Sequence, residues 1–204
     1  YAYTLSLCLP KKLNNEWLNL FTKSLFSFQK KFDFFLIGGD LSKSEKIVIS
    51  SNFFGFVKDK KILTRSDAKI NDDIWVTGNL GDSSIGLKIK QNKIKVTNNE
   101  KNFFINKYLF PKHFSHGNKI INYASSAIDI SDGFYGDLNK LIGESNKGAS
   151  IDSSNLPFSS NTKRLINNKK INLSYLLSAG DDYELIFTTN PKHSQKIKSL
   201  FKNI

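Results

Sequence analysis

Residues 124–138 read ASSAIDISDGFYGDL, and the fold turns on how this stretch is read. Ala127-Ile128 and Ile130 form a short apolar run that Asp129 interrupts and Ser131-Asp132-Gly133 ends. Strand alternation puts Ile128 and Ile130 on one side, with Asp129 and Ser131 on the other. Gly133 permits a sharp turn, which stands Asp132 at the entrance of a helix over about 134–144. In that helix Phe134, Leu138, Leu141 and Ile142 share one face. A carboxylate at the end of a buried strand costs several kcal/mol unless something compensates it. Asp129 and Asp132 are therefore either a turn and a helix cap, or the ligands of a cation.

Two more glycine-acid turns meet strands elsewhere in the chain. Phe32 to Ile37 runs into Gly38-Gly39-Asp40, and Tyr175 to Ala179 leads into Gly180-Asp181-Asp182 before the strand residues of ELIFTTN. Each turn alone is ordinary. Together they present several carboxylates at strand ends, as a magnesium ion with phosphate oxygens requires, and glycines through which backbone N–H groups approach a phosphate. The chain has no GxxxxGK[ST] loop and no His or Cys nucleophile constellation, so such a site is built differently.

Around these turns the periodicities predict an amphipathic helix over 11–30 and a strand over 46–57 that could pair with 32–37 as a hairpin. The turn-rich segment KILTRSDAKINDD (61–73) marks a domain boundary, dividing the chain into 1–70 and 71–204. A strand at 74–77 then leads through GNLGDSS to a helix starting near Asp82 or Ser83. Residues 91–118 read as an irregular basic segment; its His113 and His116 fit a surface loop better than a metal pair. Short helices follow over 159–168 and 191–203. Strands alternating with helices, with several adjacent strands short-linked, predict an α+β architecture rather than a pure doubly wound sheet.

At 204 residues the chain suits one large domain or two small ones, and 39% hydrophobic residues with 17 Phe make it globular. The single cysteine, Cys8, excludes an intrachain disulfide and a Cys-based zinc cluster. No apolar run reaches the roughly 18 residues of a membrane span, and no secretory signal opens the chain; a cytoplasmic protein is expected. A net charge of +12 suits anionic partners, but the lysines are scattered among Asn, Ile and Ser, which disfavours nucleic acid. The first residues, YAYTLSLCLP, read as the middle of a strand, and SLFKNI stops within a helical pattern, so the chain is expected to be truncated at both ends.

IGGD (37–40), LTRSDAK (63–69), DDIWVTGNLGDSSIGL (72–87), AIDISDGFYGDL (127–138) and SAGDDYELIFT (178–188) stand in an order and spacing that resembles the thiamine-monophosphate kinase family. That family lies in the superfamily of aminoimidazole ribonucleotide synthetase and selenophosphate synthetase, and the resemblance covers essentially the whole chain. It implies a two-domain aminoimidazole ribonucleotide synthetase-like α+β fold with mixed sheets, its N-terminal ATP and dimerisation domain incomplete here. It implies a homodimer, with Mg²⁺ and ATP as cofactor and co-substrate. The activity implied is transfer of the ATP γ-phosphoryl group to thiamine phosphate, giving thiamine diphosphate.

By the same resemblance Asp40, Asp129 and Asp132 are metal ligands. Gly39, Asp40, Arg65 and Ser131 meet ATP, and Glu184 meets the thiamine substrate, with Asp181 and Asp182 shaping its pocket. Two positions depart from the family pattern: Asp67 replaces a glycine beside Arg65, and Leu41-Ser42 replaces Thr-Thr after GGD. Further acidic segments and a substrate-facing aromatic of the family lie outside the chain, so residues 1–204 alone are expected to be inactive. The alternatives are another ATP-dependent member of the superfamily, such as a selenophosphate synthetase, or a non-catalytic nucleotide- or RNA-binding relative.

Overall fold

The computed structural model describes residues 1–57, 62–112 and 117–201. The basic run at 58–61 and the His113/His116 pair lie outside the described residues. The chain divides into two units, Tyr1–Lys61 and Ile62–Ile204, rather than at 70/71. Residues 62–70 go with the second unit because its backbone holds them. Ala127 N–H donates to Thr64 O (2.9 Å), and the Ser145 hydroxyl donates to Arg65 O (3.0 Å) while accepting from Ala68 N–H (3.1 Å).

The first unit contains β1 (Ala2–Leu9), α1 (Asn15–Phe32), β2 (Phe35–Lys43) and β3 (Val48–Phe54). The expected hairpin between the second and third of these strands is not formed. β1 lies between them, parallel to β2 and antiparallel to β3. The strands' own patterns allow this order, since β1 carries Tyr3, Leu5 and Leu7 in strict alternation. A second correction concerns Gly38-Gly39-Asp40. It is not a turn but the middle of β2, which continues to Lys43. Gly39 is required there because a Cβ would run into the Leu5 backbone. Asp40 registers with Ser6, and Ser6 with Ser50, so the carboxylate stands on a polar stretch of sheet and accepts from the Ser42 hydroxyl (2.7 Å). On the opposite face Leu7 lies between Leu41 and Ile49, both largely exposed.

The second unit is built on an antiparallel sheet of β4 (Asp73–Val76), β5 (Ala124–Asp129) and β6 (Leu185–Thr189), with β6 in the centre. Its helices are α2 (Asp82–Lys90), α3 (Asn98–Leu109), α4 (Gly117–Ile120), α5 (Phe134–Glu144), α6 (Ser160–Asn167), α7 (Leu173–Ser178) and α8 (Ser194–Leu200). Strand alternation separates two cores. Ile186 joins Leu80, Ile85, Phe104, Ile130, Leu141 and Leu176 on one side, while Phe187 packs with Ile120 and Ile197 on the other. The mixed α+β architecture is as expected.

The sequence reading missed α3, which replaces much of the expected irregular segment. Its helical face is nearly hidden by lysines and asparagines, but its start is encoded: Thr97 accepts from Glu100 N–H, and the Glu100 carboxylate accepts from Thr97 N–H (2.7 Å). Phe104 then anchors the helix in the core. Thr97→Ala should cost about 1 kcal/mol of unfolding free energy, read by denaturant titration, with amide exchange accelerated first in α3.

Candidate active site

The two acidic turns of the second unit interlock. Asp181 N–H donates to Ser131 O (3.1 Å), Tyr183 N–H to Ile130 O (2.9 Å), and Ile130 N–H to Glu184 O (2.8 Å). Glycines make this approach possible. A Cβ on Gly180 would run into the Ser131 carbonyl, and one on Gly133, at φ +112°, into the Ser178 backbone. Asp181 and Tyr183 take left-handed φ values of 68° and 51°, which reverse the chain before β6.

Asp137 fixes the first turn from within. Only 1% exposed, it accepts from Ser131 N–H (3.0 Å) and Asp132 N–H (2.9 Å) through one oxygen. Its other oxygen accepts from Lys140 Nζ (2.8 Å), which also pairs with Asp132 (2.5 Å). The helix cap is Gly133 and makes no side-chain hydrogen bond, so Asp132 does not cap α5.

The DISDG turn opens on a cavity of about 850 Å³ whose lining includes Arg65, Asp129, Ser131, Asp137, Lys140 and Glu144. Arg65 reaches it because Ser145, at the end of α5, holds the Arg65 and Ala68 backbone. Three of the expected site residues, Arg65, Asp129 and Ser131, are therefore gathered at one cavity. Asp132 and Glu184 are not among its lining residues. The Asp67 carboxylate accepts from the Thr64 hydroxyl (2.5 Å) and is also absent from the lining. Gly39 and Asp40 belong to the first unit.

The donor chemistry admits magnesium in part. Asp129 is exposed at the cavity and offers the hard oxygen that Mg²⁺ prefers. Asp132 has its carboxylate engaged by Lys140. Among the described residues no three His, Cys, Asp or Glu side chains are grouped to hold a metal ion.

A second acidic cluster lies where β4 ends and β6 begins. Glu184 accepts from the Thr77 hydroxyl (2.6 Å) and presses on Gly78, where any side chain would collide with it. Asp182 accepts from Gly81 N–H (2.7 Å) and Ser83 N–H (3.4 Å), capping α2 from a distant part of the chain. Asp82 accepts from the Ser159 and Thr162 hydroxyls (2.6 and 2.7 Å). Burial raises the pKa of all three carboxyls, with the hydroxyl donors opposing it at Asp82 and Glu184. Asp182 is raised to about 7, first by burial and further by the charges of Asp82 and Glu184, against its two N–H donors.

No protein-family model matches the chain. Individual proteins do. The thiamine-monophosphate kinase of Buchnera aphidicola subsp. Schizaphis graminum is 39% identical over 203 residues, covering 98% of this chain and 61% of that protein. The Escherichia coli K12 thiamine-monophosphate kinase is 40% identical over 187 residues, 91% of this chain and 57% of the relative. The crystal structure of the Stenotrophomonas maltophilia K279a thiamine-monophosphate kinase superposes with a TM-score of 0.88 at 29% identity, over 98% of this chain and 65% of that one. Over nearly its whole length the chain is similar to thiamine-monophosphate kinases.

It spans about three-fifths of the length of the curated kinases it matches, 61% and 57% in the two cases above. A further solved structure, AaThiL complexed with AMPPCP and TMP, matches with a TM-score of 0.80 at 28% identity, over 94% of this chain and 62% of that one. Escherichia coli HypE shares the fold at 13% identity, with a TM-score of 0.80, over 100% of this chain and 63% of its own.

Reading the sequence missed Asp137 and Lys140 as parts of the site. The signal was present: an aspartate in the first turn of α5, with a lysine three positions on, is placed to reach back to the turn before the helix.

Asp182 gives the site a pH signature. Its folded pKa of about 7 exceeds the ordinary 3.8, so its contribution to stability is whole below the lower value and is lost as pH rises to the upper. Asp182→Asn should remove about 1.4 kcal/mol per pH unit of that decline between about pH 5 and 6, measured by denaturant unfolding.

Proposed function

We propose that the protein phosphorylates thiamine phosphate to thiamine diphosphate with ATP, the last step in making that cofactor, in the cytoplasm. The observation that carries this reading is the cavity where Arg65, Asp129 and Ser131 meet beside a glycine turn, in a chain 39% identical to a thiamine-monophosphate kinase. The acceptor is itself a phosphate, ionised at neutral pH, so no general base is required. Catalysis is then positioning and charge neutralisation.

Arg65 supplies a planar fork to two phosphate oxygens and is held in place by Ser145. Ser131 offers a hydroxyl to the nucleotide, its own N–H being taken by Asp137. Asp129 would hold Mg²⁺, with Asp132 as a second proposed ligand; Asp40, in the first unit, is a further proposed metal ligand. When bound, the metal neutralises phosphate charge as the phosphoryl group moves. Glu184, oriented by Thr77, faces the thiamine substrate, and its raised pKa suits a carboxyl kept from water until a cationic or aminopyrimidine group arrives. The face of the first sheet that leaves Leu41 and Ile49 exposed supports a homodimer through that unit.

The test is the full-length protein supplied with ATP, Mg²⁺ and thiamine phosphate, following thiamine diphosphate by chromatography. Asp129→Asn should lower kcat by about a hundredfold or more with the fold intact. Full activity in that variant would overturn the assignment. Absence of product from the wild type would overturn the reading itself.

A further inference from the structure

Resting on the kinase reading above, we propose that Lys140 is the resident counter-cation of the DISDG turn. It occupies a cation position at Asp132 Oδ2, so a divalent ion approaching that oxygen competes with it.

Three observations meet at this side chain. Lys140 Nζ lies 2.5 Å from Asp132 Oδ2 and 2.8 Å from Asp137 Oδ1, bridging the two carboxylates. Asp137 is fixed, its second oxygen holding the Ser131 and Asp132 N–H groups, so the ammonium is tethered rather than sweeping through solvent. Lys140 also lines the cavity with Arg65 and Asp129. A single hard oxygen atom of Asp132 faces the ammonium, and a divalent ion coordinated there would stand within a few ångströms of a like charge that Asp137 favours in place.

The pair itself contributes little to folding, since Asp132 is 69% and Lys140 42% exposed. Its consequence is selective. The turn keeps its geometry without metal because Asp137 holds its N–H groups, and cation occupancy at Asp132 is weakened by the Lys140 contact. Nucleotide phosphates arriving at the cavity give the displaced ammonium a new anionic partner, so metal and nucleotide enter Asp132's surroundings together more readily than metal alone.

The experiment titrates Mn²⁺ alone into the full-length protein, reading free Mn²⁺ by electron paramagnetic resonance. Lys140→Gln should bind Mn²⁺ on the order of tenfold more tightly than wild type. Lys140→Arg, which keeps the charge, should stay within about twofold. Adding Asp132→Asn to Lys140→Gln should abolish the gain. A merely structural lysine would loosen the turn and weaken binding, so tightening separates the two roles. Equal or weaker Mn²⁺ binding by Lys140→Gln overturns the proposal while leaving the kinase reading standing on the Asp129→Asn assay. Mn²⁺ binding unmoved by either Asp129→Asn or Asp132→Asn overturns the metal reading beneath it as well.

Discussion

The backbone exchange between Ile130-Ser131 and Asp181-Tyr183-Glu184 is the constraint on which the second unit depends. Its hydrogen bonds continue the β5–β6 ladder beyond the sheet, into two turns that would otherwise be separate loops. Buried backbone groups must be paired, and here each turn satisfies the other. Gly133 and Gly180 admit the approach, and left-handed Asp181 and Tyr183 steer it. Once the turns are locked, Asp129 and Ser131 are presented to one cavity from the β5 side while Asp182 and Glu184 are directed to the loops after β4.

Carboxylates close to one another do opposite jobs in this arrangement. Asp137 and Asp182 are buried and spend their oxygens on backbone N–H groups; they shape turns. Asp129 is exposed and free for chemistry at the cavity. Asp132 stands between these roles, outside the core but engaged by Lys140. The sharing of one ammonium by a buried and an exposed carboxylate couples the rigidity of the turn to its charge.

Much of the fold was legible because its signals are local. The α5 helix begins after Gly133 as expected, since four apolar residues at helical spacing follow a glycine turn. β4 and β6 declared themselves through short apolar runs bounded by glycine or acid. What escaped was set by distant partners. Nothing within 35–43 says that β1 will pair beside it, so Gly38-Gly39-Asp40 reads as a turn until the Leu5 backbone is seen against Gly39. α3 has too little apolar contrast for periodicity to find, though its capping box was written in Thr97 and Glu100. At the site, Arg65, Asp129 and Ser131 followed from family pattern. Asp137 and Lys140 required knowing which way the DISDG backbone N–H groups point.

The interlocked turns, more than any single side chain, hold in place the cavity that gathers Arg65, Asp129 and Ser131. Gly180→Ala tests it most directly, because its only new atom lands on the Ser131 carbonyl. In the full-length protein, thiamine diphosphate formation by this variant should fall by about a hundredfold, as expected when reacting groups are displaced by about an ångström. Its circular dichroism should remain that of the folded protein. Wild-type kinetics in Gly180→Ala would contradict the account.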